Sequence, residues 1–141
     1  MLRTFFIMAA LLGLPLTSAR AEAPPAAAAP APFNIGFAVY TKGAVPGTLD
    51  ARWNWANAYG GPGLATGGPK EGYAGHYHIR YYYENGAFSD EYDLVIEQTG
   101  KTYNVTWITN GKVSARGVGV EVEHHLAVGW RNVTDLPSAV S

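Results

Sequence analysis

The stretch His76–Lys112, HYHIRYYYENGAFSDEYDLVIEQTGKTYNVTWITNGK, decides the fold. Asn85-Gly86, Thr99-Gly100 and Asn110-Gly111 punctuate runs rich in Tyr, Val, Ile and Trp. Asn-Gly between alternating apolar runs is the strongest short-range hairpin signal, because both central positions of a type I′ turn need positive φ. The stretch reads as an antiparallel meander, and its register can be worked out residue by residue.

With Asn85-Gly86 as a two-residue loop, Glu84 faces Ala87. Tyr77 then pairs with Leu94 and Ile79 with Tyr92, while His78 meets Asp93 and Arg80 meets Glu91. A slip of one residue would mix the two faces. With Thr99-Gly100 as the next loop, Ile96 pairs with Tyr103, Leu94 with Val105 and Tyr92 with Trp107. Asn110-Gly111 puts Tyr103 opposite Val118, but also Arg116 opposite Val105 and Ser114 opposite Trp107. A turn at Glu123-His124-His125 pairs Val122 with Leu126, Val120 with Val128 and Val118 with Trp130.

One face thus collects Tyr77, Ile79, Tyr81, Tyr92, Leu94, Ile96, Tyr103, Val105, Trp107, Val118, Val120, Val122, Leu126, Val128 and Trp130. The other carries His76, His78, Arg80, Glu91, Asp93, Glu97, Thr102, Asn104 and Thr106. One dry face and one wet face is the pattern of a sandwich sheet or a barrel wall. Gly117 and Gly119 fall on the outer face in this register, where glycines ease strong coiling.

Upstream, Phe33, Ile35, Phe37 and Val39 alternate with Asn34, Gly36, Ala38 and Tyr40, a first strand. Leu49, Ala51, Trp53 and Trp55 alternate with Asp50, Arg52 and Asn54. That run reads as a strand, with a short helix from Asp50 to Tyr59 as the alternative. Gly60–Gly72 is rich in Gly and Pro and reads as a loop without a strand; Gly67-Gly68-Pro69-Lys70 lacks phosphate-loop spacing. The expected fold is all-β, an antiparallel up-and-down meander closing into a small barrel of about seven or eight strands, since closure removes exposed edges. An open or two-sheet arrangement is the alternative.

The front of the chain has a different character. Arg3, the apolar run Phe5–Leu16 and Ala19-Arg20-Ala21 make residues 1–21 an expected signal peptide, pointing to a periplasmic or secreted protein. The apolar run falls short of the roughly twenty residues of a membrane helix, so no span is expected after its removal. Residues 22–32 are almost all Ala and Pro and read as a tether. The folded domain is then 33–136, with 137–141 as a tail. The chain has no cysteine, so its fold rests on the core alone. Ten basic residues against 11 acidic ones leave no basic patch for nucleic acid.

For function, the inner face is unusually rich in phenols and indoles. Tyr77, Tyr81, Tyr92, Tyr103, Trp107 and Trp130 offer apolar area with polar tips, suited to a small amphipathic ligand. Arg116 joins them if its strand is regular: an inward guanidinium beside Trp107 could take a ligand carboxylate. The alternative is a bulge around Ser114–Gly117 that turns Arg116 to solvent. His76 and His78, with Asp93 opposite, could form a metal set, or simply a solvated cross-strand pair; the second reading is preferred, and no metal or cofactor is expected. Ser89 and Ser114 lack a nucleophile-elbow context, and Glu91 and Asp93 sit beside Arg80 and His78, so no catalysis is expected. The preferred function is ligand binding inside the barrel; the alternative is a filled barrel serving as a structural or protein-interaction module.

The run Tyr92-Asp93-Leu94-Val95-Ile96, Gly100–Trp107, Gly117-Val118-Gly119-Val120 and Leu126-Ala127-Val128-Gly129-Trp130 resembles small exported bacterial β-barrel domains, lipocalin-like and avidin-like in general pattern. The resemblance implies a small calyx without a catalytic set. The order of polar residues around Trp53, Trp55, Trp107 and Trp130 departs from that of avidins, which removes the basis for a biotin pocket.

Overall fold

The computed structural model describes residues 33–133; the stretches read as signal peptide, tether and tail lie outside the described residues. Eight antiparallel strands follow one another: β1 (Gly36–Lys42), β2 (Leu49–Trp55), β3 (Tyr59–Thr66), β4 (Gly75–Tyr82), β5 (Phe88–Thr99), β6 (Thr102–Thr109), β7 (Lys112–Val122) and β8 (His125–Asn132). Each pairs with the next, and β8 pairs with β1 to close the barrel. β2 is a strand, as expected, and the eighth strand is β3, in the segment read as a loop.

The β4–β5 register is the one read from the sequence: Tyr77 faces Leu94, His78 faces Asp93, Ile79 faces Tyr92 and Arg80 faces Glu91. It is reached differently. Tyr83 N donates to Ala87 O at 2.8 Å, so the loop holds Glu84, Asn85 and Gly86. An extra residue at Ser89, between the Tyr81–Asp90 and Tyr82–Phe88 pairs, restores the register. In β5–β6 the loop is Gly100-Lys101, with Thr99 opposite Thr102. Ile96 therefore meets Val105 and Leu94 meets Trp107, a shift of two residues that keeps every side chain on its expected face.

β7 overturns part of the sequence reading. Asn110 and Gly111 both take positive φ, and Thr109 faces Lys112 as expected. Ile108 then pairs with Val113 but Trp107 pairs with Ala115, so Ser114 is extra. This bulge reverses the facing of everything that follows. Ala115, Gly117 and Gly119 turn inward; Arg116, Val118, Val120 and Val122 turn outward. The following turn consists of Glu123 and His124, both at positive φ, with Val122 opposite His125. Val118, Val120 and Val122 therefore leave the expected core, and Gly117 and Gly119 enter it.

Volume explains the reversal. The interior of an eight-stranded barrel is only wide enough for side chains to fill. β4, β5 and β6 point Tyr77, Ile79, Tyr81, Tyr92, Leu94, Ile96, Tyr103, Val105 and Trp107 into it. The other wall adds Tyr40, Leu49, Leu126 and Val128, and the rest of it is thin: Ala38, Ala51, Gly61, Gly63, Ala65, Ala115, Gly117 and Gly119 face inward. This also makes β3 a strand despite its composition. A Cβ at Gly63 would sit 2.8 Å from the Tyr81 ring and 3.2 Å from the Ala51 methyl group.

One end of the barrel is plugged. Tyr73, from the β3–β4 loop, is buried against Tyr103 and donates to His124 O at 2.6 Å. Its own carbonyl accepts from the Tyr77 hydroxyl at 2.9 Å. At the other end the chain enters and leaves side by side. Asn34 Nδ2 donates to Asn132 O, and Asn132 N donates to Asn34 Oδ1, each at 2.8 Å.

The thin wall predicts a contrast between two glycines. At Gly36 a Cβ would meet Asn54 O at 2.3 Å and the Trp130 ring at 2.6 Å; at Gly129 it would meet nothing within 4 Å. Gly36→Ala is expected to cost about 1–3 kcal/mol through overpacking. Gly129→Ala should be neutral or stabilising by up to about 1 kcal/mol through reduced backbone entropy. Urea midpoints of the two variants check this, and equal midpoints would contradict it.

Candidate functional site

The open end of the barrel is an aromatic mouth. Trp53, Tyr81, Tyr92, Trp107 and Trp130 line a recess with Asp90, Ala115 and Asn132, enclosing a void of about 50 Å³. Strand alternation brings the rings together. Trp53 on β2, Tyr81 on β4, Tyr92 on β5, Trp107 on β6 and Trp130 on β8 all take inward positions near one end of the barrel. Trp55 stacks on Trp130 with ring centroids 4.9 Å apart, and Trp107 lies 5.9 Å from Trp130. Tyr81 meets Trp53 edge-on at 6.0 Å and Tyr92 at 6.1 Å. These are the offset and edge-to-face arrangements that ring quadrupoles favour.

The polar tips of the rings are tied down. Trp107 Nε1 donates to the Tyr81 hydroxyl at 2.8 Å, and the Tyr81 and Tyr40 hydroxyls bond at 2.7 Å. Trp53 Nε1 donates to Tyr82 O at 2.9 Å, reaching across Gly61, its neighbour on β3. The Tyr92 hydroxyl donates to Asp90. Burial pushes the Tyr40 and Tyr81 phenols well above their ordinary range. Tyr92 is raised first by burial and then by its bond to Asp90, because an ionised phenol could not donate it. At the plugged end, Tyr77 is pushed up to about 12 by burial. Tyr103 is pushed up to about 12 chiefly by the hydrogen bond it gives Glu121.

The expected ligand-binding residues divide three ways. Tyr81, Tyr92, Trp107 and Trp130 meet at the mouth recess. Tyr77 and Tyr103 are buried around Tyr73 at the plugged end, and so belong to the opposite end of the barrel. Arg116 is on the outside, exposed, because of the Ser114 bulge; the alternative reading of that strand was the right one. Sequence reasoning missed Trp53, Asp90 and Asn132 as recess residues. Both Trp53 and Asp90 carried a signal: Trp53 sits on an alternating strand, and Asp90 shares the face of Tyr92 two residues on and pairs with Tyr81 in the register read from the sequence.

On the outer face, His78 Nε2 lies 2.8 Å from Glu91 Oε2 and its Nδ1 lies 3.6 Å from Asp93 Oδ1. Among the described residues, no group of three or more His, Asp or Glu side chains is gathered as a metal set. No family model, curated protein or solved structure matches the chain.

Two predictions follow from the phenol network. Tyr81→Phe leaves the Trp107 N–H without its acceptor and Tyr40 without its partner, and should cost about 1–3 kcal/mol in denaturant unfolding. The second concerns alkaline pH. Raised phenols stay protonated in the fold but ionise near pH 10 when unfolded, so their stabilising contribution is complete below about pH 10. It is lost as the pH climbs through the folded values, about 12 for Tyr77 and Tyr103. Stability followed by circular dichroism should therefore be flat up to about pH 10 with respect to these groups and fall above it.

Proposed function

We propose that the protein is an exported, non-catalytic β-barrel that holds a small organic cation, such as a methylated ammonium headgroup, in its aromatic mouth. The observation that carries this reading is the lining of the recess: five aromatic rings and one carboxylate, Asp90. Cations are drawn to the faces of Trp and Tyr rings within about 6 Å, and such cages are the common device for quaternary ammonium groups. Arg116, the residue that would have suited an anion, lies outside the barrel. The void of about 50 Å³ is far below the roughly 300–1,000 Å³ of pockets that engulf drug-sized molecules, so a headgroup is the unit that fits. Rings and a hydrogen-bonded carboxylate suit holding a group rather than transferring a proton. The apolar run and small residues of the leader support export to the periplasm or beyond. The likeness to lipocalin-like and avidin-like barrels belongs to this proposal too, and the closed meander is consistent with it.

Tryptophan fluorescence tests the reading, since Trp53, Trp107 and Trp130 line the recess. Tetramethylammonium should change the emission saturably, and neutral tert-butanol should not. Asp90→Asn should weaken binding roughly tenfold, the loss of about 1.4 kcal/mol of charge attraction. A linear, unsaturable response to tetramethylammonium would remove the proposal. Equal binding of tert-butanol would replace the cation with a neutral apolar group.

A further inference from the structure

The outside of the barrel is sided. β2, β4 and β5 present Asp50, Arg52, His78, Arg80, Glu91 and Asp93 to solvent. β7, β8 and β1 present an apolar band made of two cross-strand rungs. Phe37, Gly129 and Val118 form one rung; Val39, Ala127 and Val120 form the next. Phe37 is 50 % exposed, Val118 62 % and Val120 46 %, with Val122 just beyond at 52 %. Together these exposed side chains present on the order of 400 Å² of apolar surface, near the upper size of patches that lone proteins carry. That is about half of the roughly 800 Å² per partner of a standard interface.

The ends of this band differ in charge. Arg116 and Arg131 face each other across β7 and β8 at one end. At the other end are Thr41, His125 and Val122, followed by Glu123 in the turn. Among the described residues, neither arginine nor Glu123 has an ion-pair partner. An apolar centre with opposite charges at its two ends is self-complementary under a two-fold rotation that reverses strand direction.

We infer that this face is the contact between two copies of the chain. A two-fold axis crossing β8 between Gly129 and Ala127 sets the Phe37–Gly129–Val118 rung of each copy against the Val39–Ala127–Val120 rung of the other. The same operation brings Arg116 and Arg131 of each copy to the Glu123 turn of its partner. The same rotation sets the Phe37/Val39 ridge and the Val118/Val120 ridge of each copy against the corresponding ridge of the other, so these four side chains carry the apolar contact on either side of Gly129 and Ala127. The charged ends supply the polar rim and the direction of pairing. The inference does not depend on the mouth recess, whose residues lie on the inner wall.

Sedimentation equilibrium of the purified protein across the micromolar range tests it. The wild type should be a dimer. Val118→Asp should dissociate it to monomer, with an unchanged melting profile at monomer concentrations because Val118 is outside the core. Arg116→Glu should raise the dimer dissociation constant about tenfold or more, and Glu123→Arg in the same chain should restore it. A wild type that is monomeric throughout overturns the inference, as does a dimer indifferent to Val118→Asp or a charge swap that fails to rescue. A monomer that instead co-sediments with anionic lipid vesicles, and loses this with Val118→Asp, would reassign the band to a membrane surface. None of these variants touches the recess, so tetramethylammonium binding can succeed or fail independently.

Discussion

The structure depends on a volume constraint. An eight-stranded closed barrel has a fixed, narrow interior, and three consecutive strands of this one fill it with Tyr, Trp, Ile and Leu. Tyr40, Leu49, Leu126 and Val128 take part of what is left, so β3 and β7 must present small residues inward. The Ser114 bulge meets that demand by turning Ala115, Gly117 and Gly119 inward and moving three valines out. Without the bulge, Val118 and Val120 would take those inward positions and press against rings that already occupy the space. The bulge is held from both sides: Ser114 O accepts from Val133 N, just beyond β8, at 3.1 Å, and Ser114 Oγ donates to Thr109 Oγ1 on β6 at 2.8 Å. Core packing and local backbone geometry are two statements of one requirement here.

The same bulge links the interior to both functional readings. It sends Arg116 out of the barrel, leaving the mouth with Asp90 as its one charged lining residue. It also places Val118 and Val120 beside Gly129 and Ala127 on the outer surface, which creates the apolar band. A single extra residue thus sets the sign of the charge in the recess and the polarity of one outer flank.

Much of this was legible in the sequence, and the pattern of what was not is informative. The all-β meander, its closure and the inward phenols and indoles of β4, β5 and β6 follow from side-chain alternation and from Asn-Gly signals. The β5–β6 loop was misplaced, yet a two-residue shift conserves alternation, so the faces survived. β7 could not survive, because a bulge costs one residue and alternation has a period of two. β3 was invisible because strand propensity is measured by side chains that pack, and this strand exists to have almost none inside. Ala56-Asn57 reaches positive φ without glycine and was not read as a turn, while the turn read at Glu123-His124-His125 is one residue shorter, with Glu123 and His124 at positive φ. In the recess, the aromatic residues and Asp90 were all readable from alternation, since Asp90 shares the face of Tyr92 and pairs with Tyr81 before the Ser89 bulge begins.

Among the described residues, the Asn34–Asn132 clasp marks the one strand seam at which distant parts of the chain must pair. Every other pairing in the barrel joins neighbours across a short connection, and the β1–β8 ladder joins residues 98 apart at that clasp. Seven local hairpin contacts and one long-range closure give a folding problem with a single costly search. Until that seam zips, the chain is an open curl with two bare edges, the state in which strand addition from another molecule is easiest. Aggregation during folding is thus governed at β1 and β8, and a chain rejoined there and opened at another hairpin would move the vulnerable edge without altering the finished barrel.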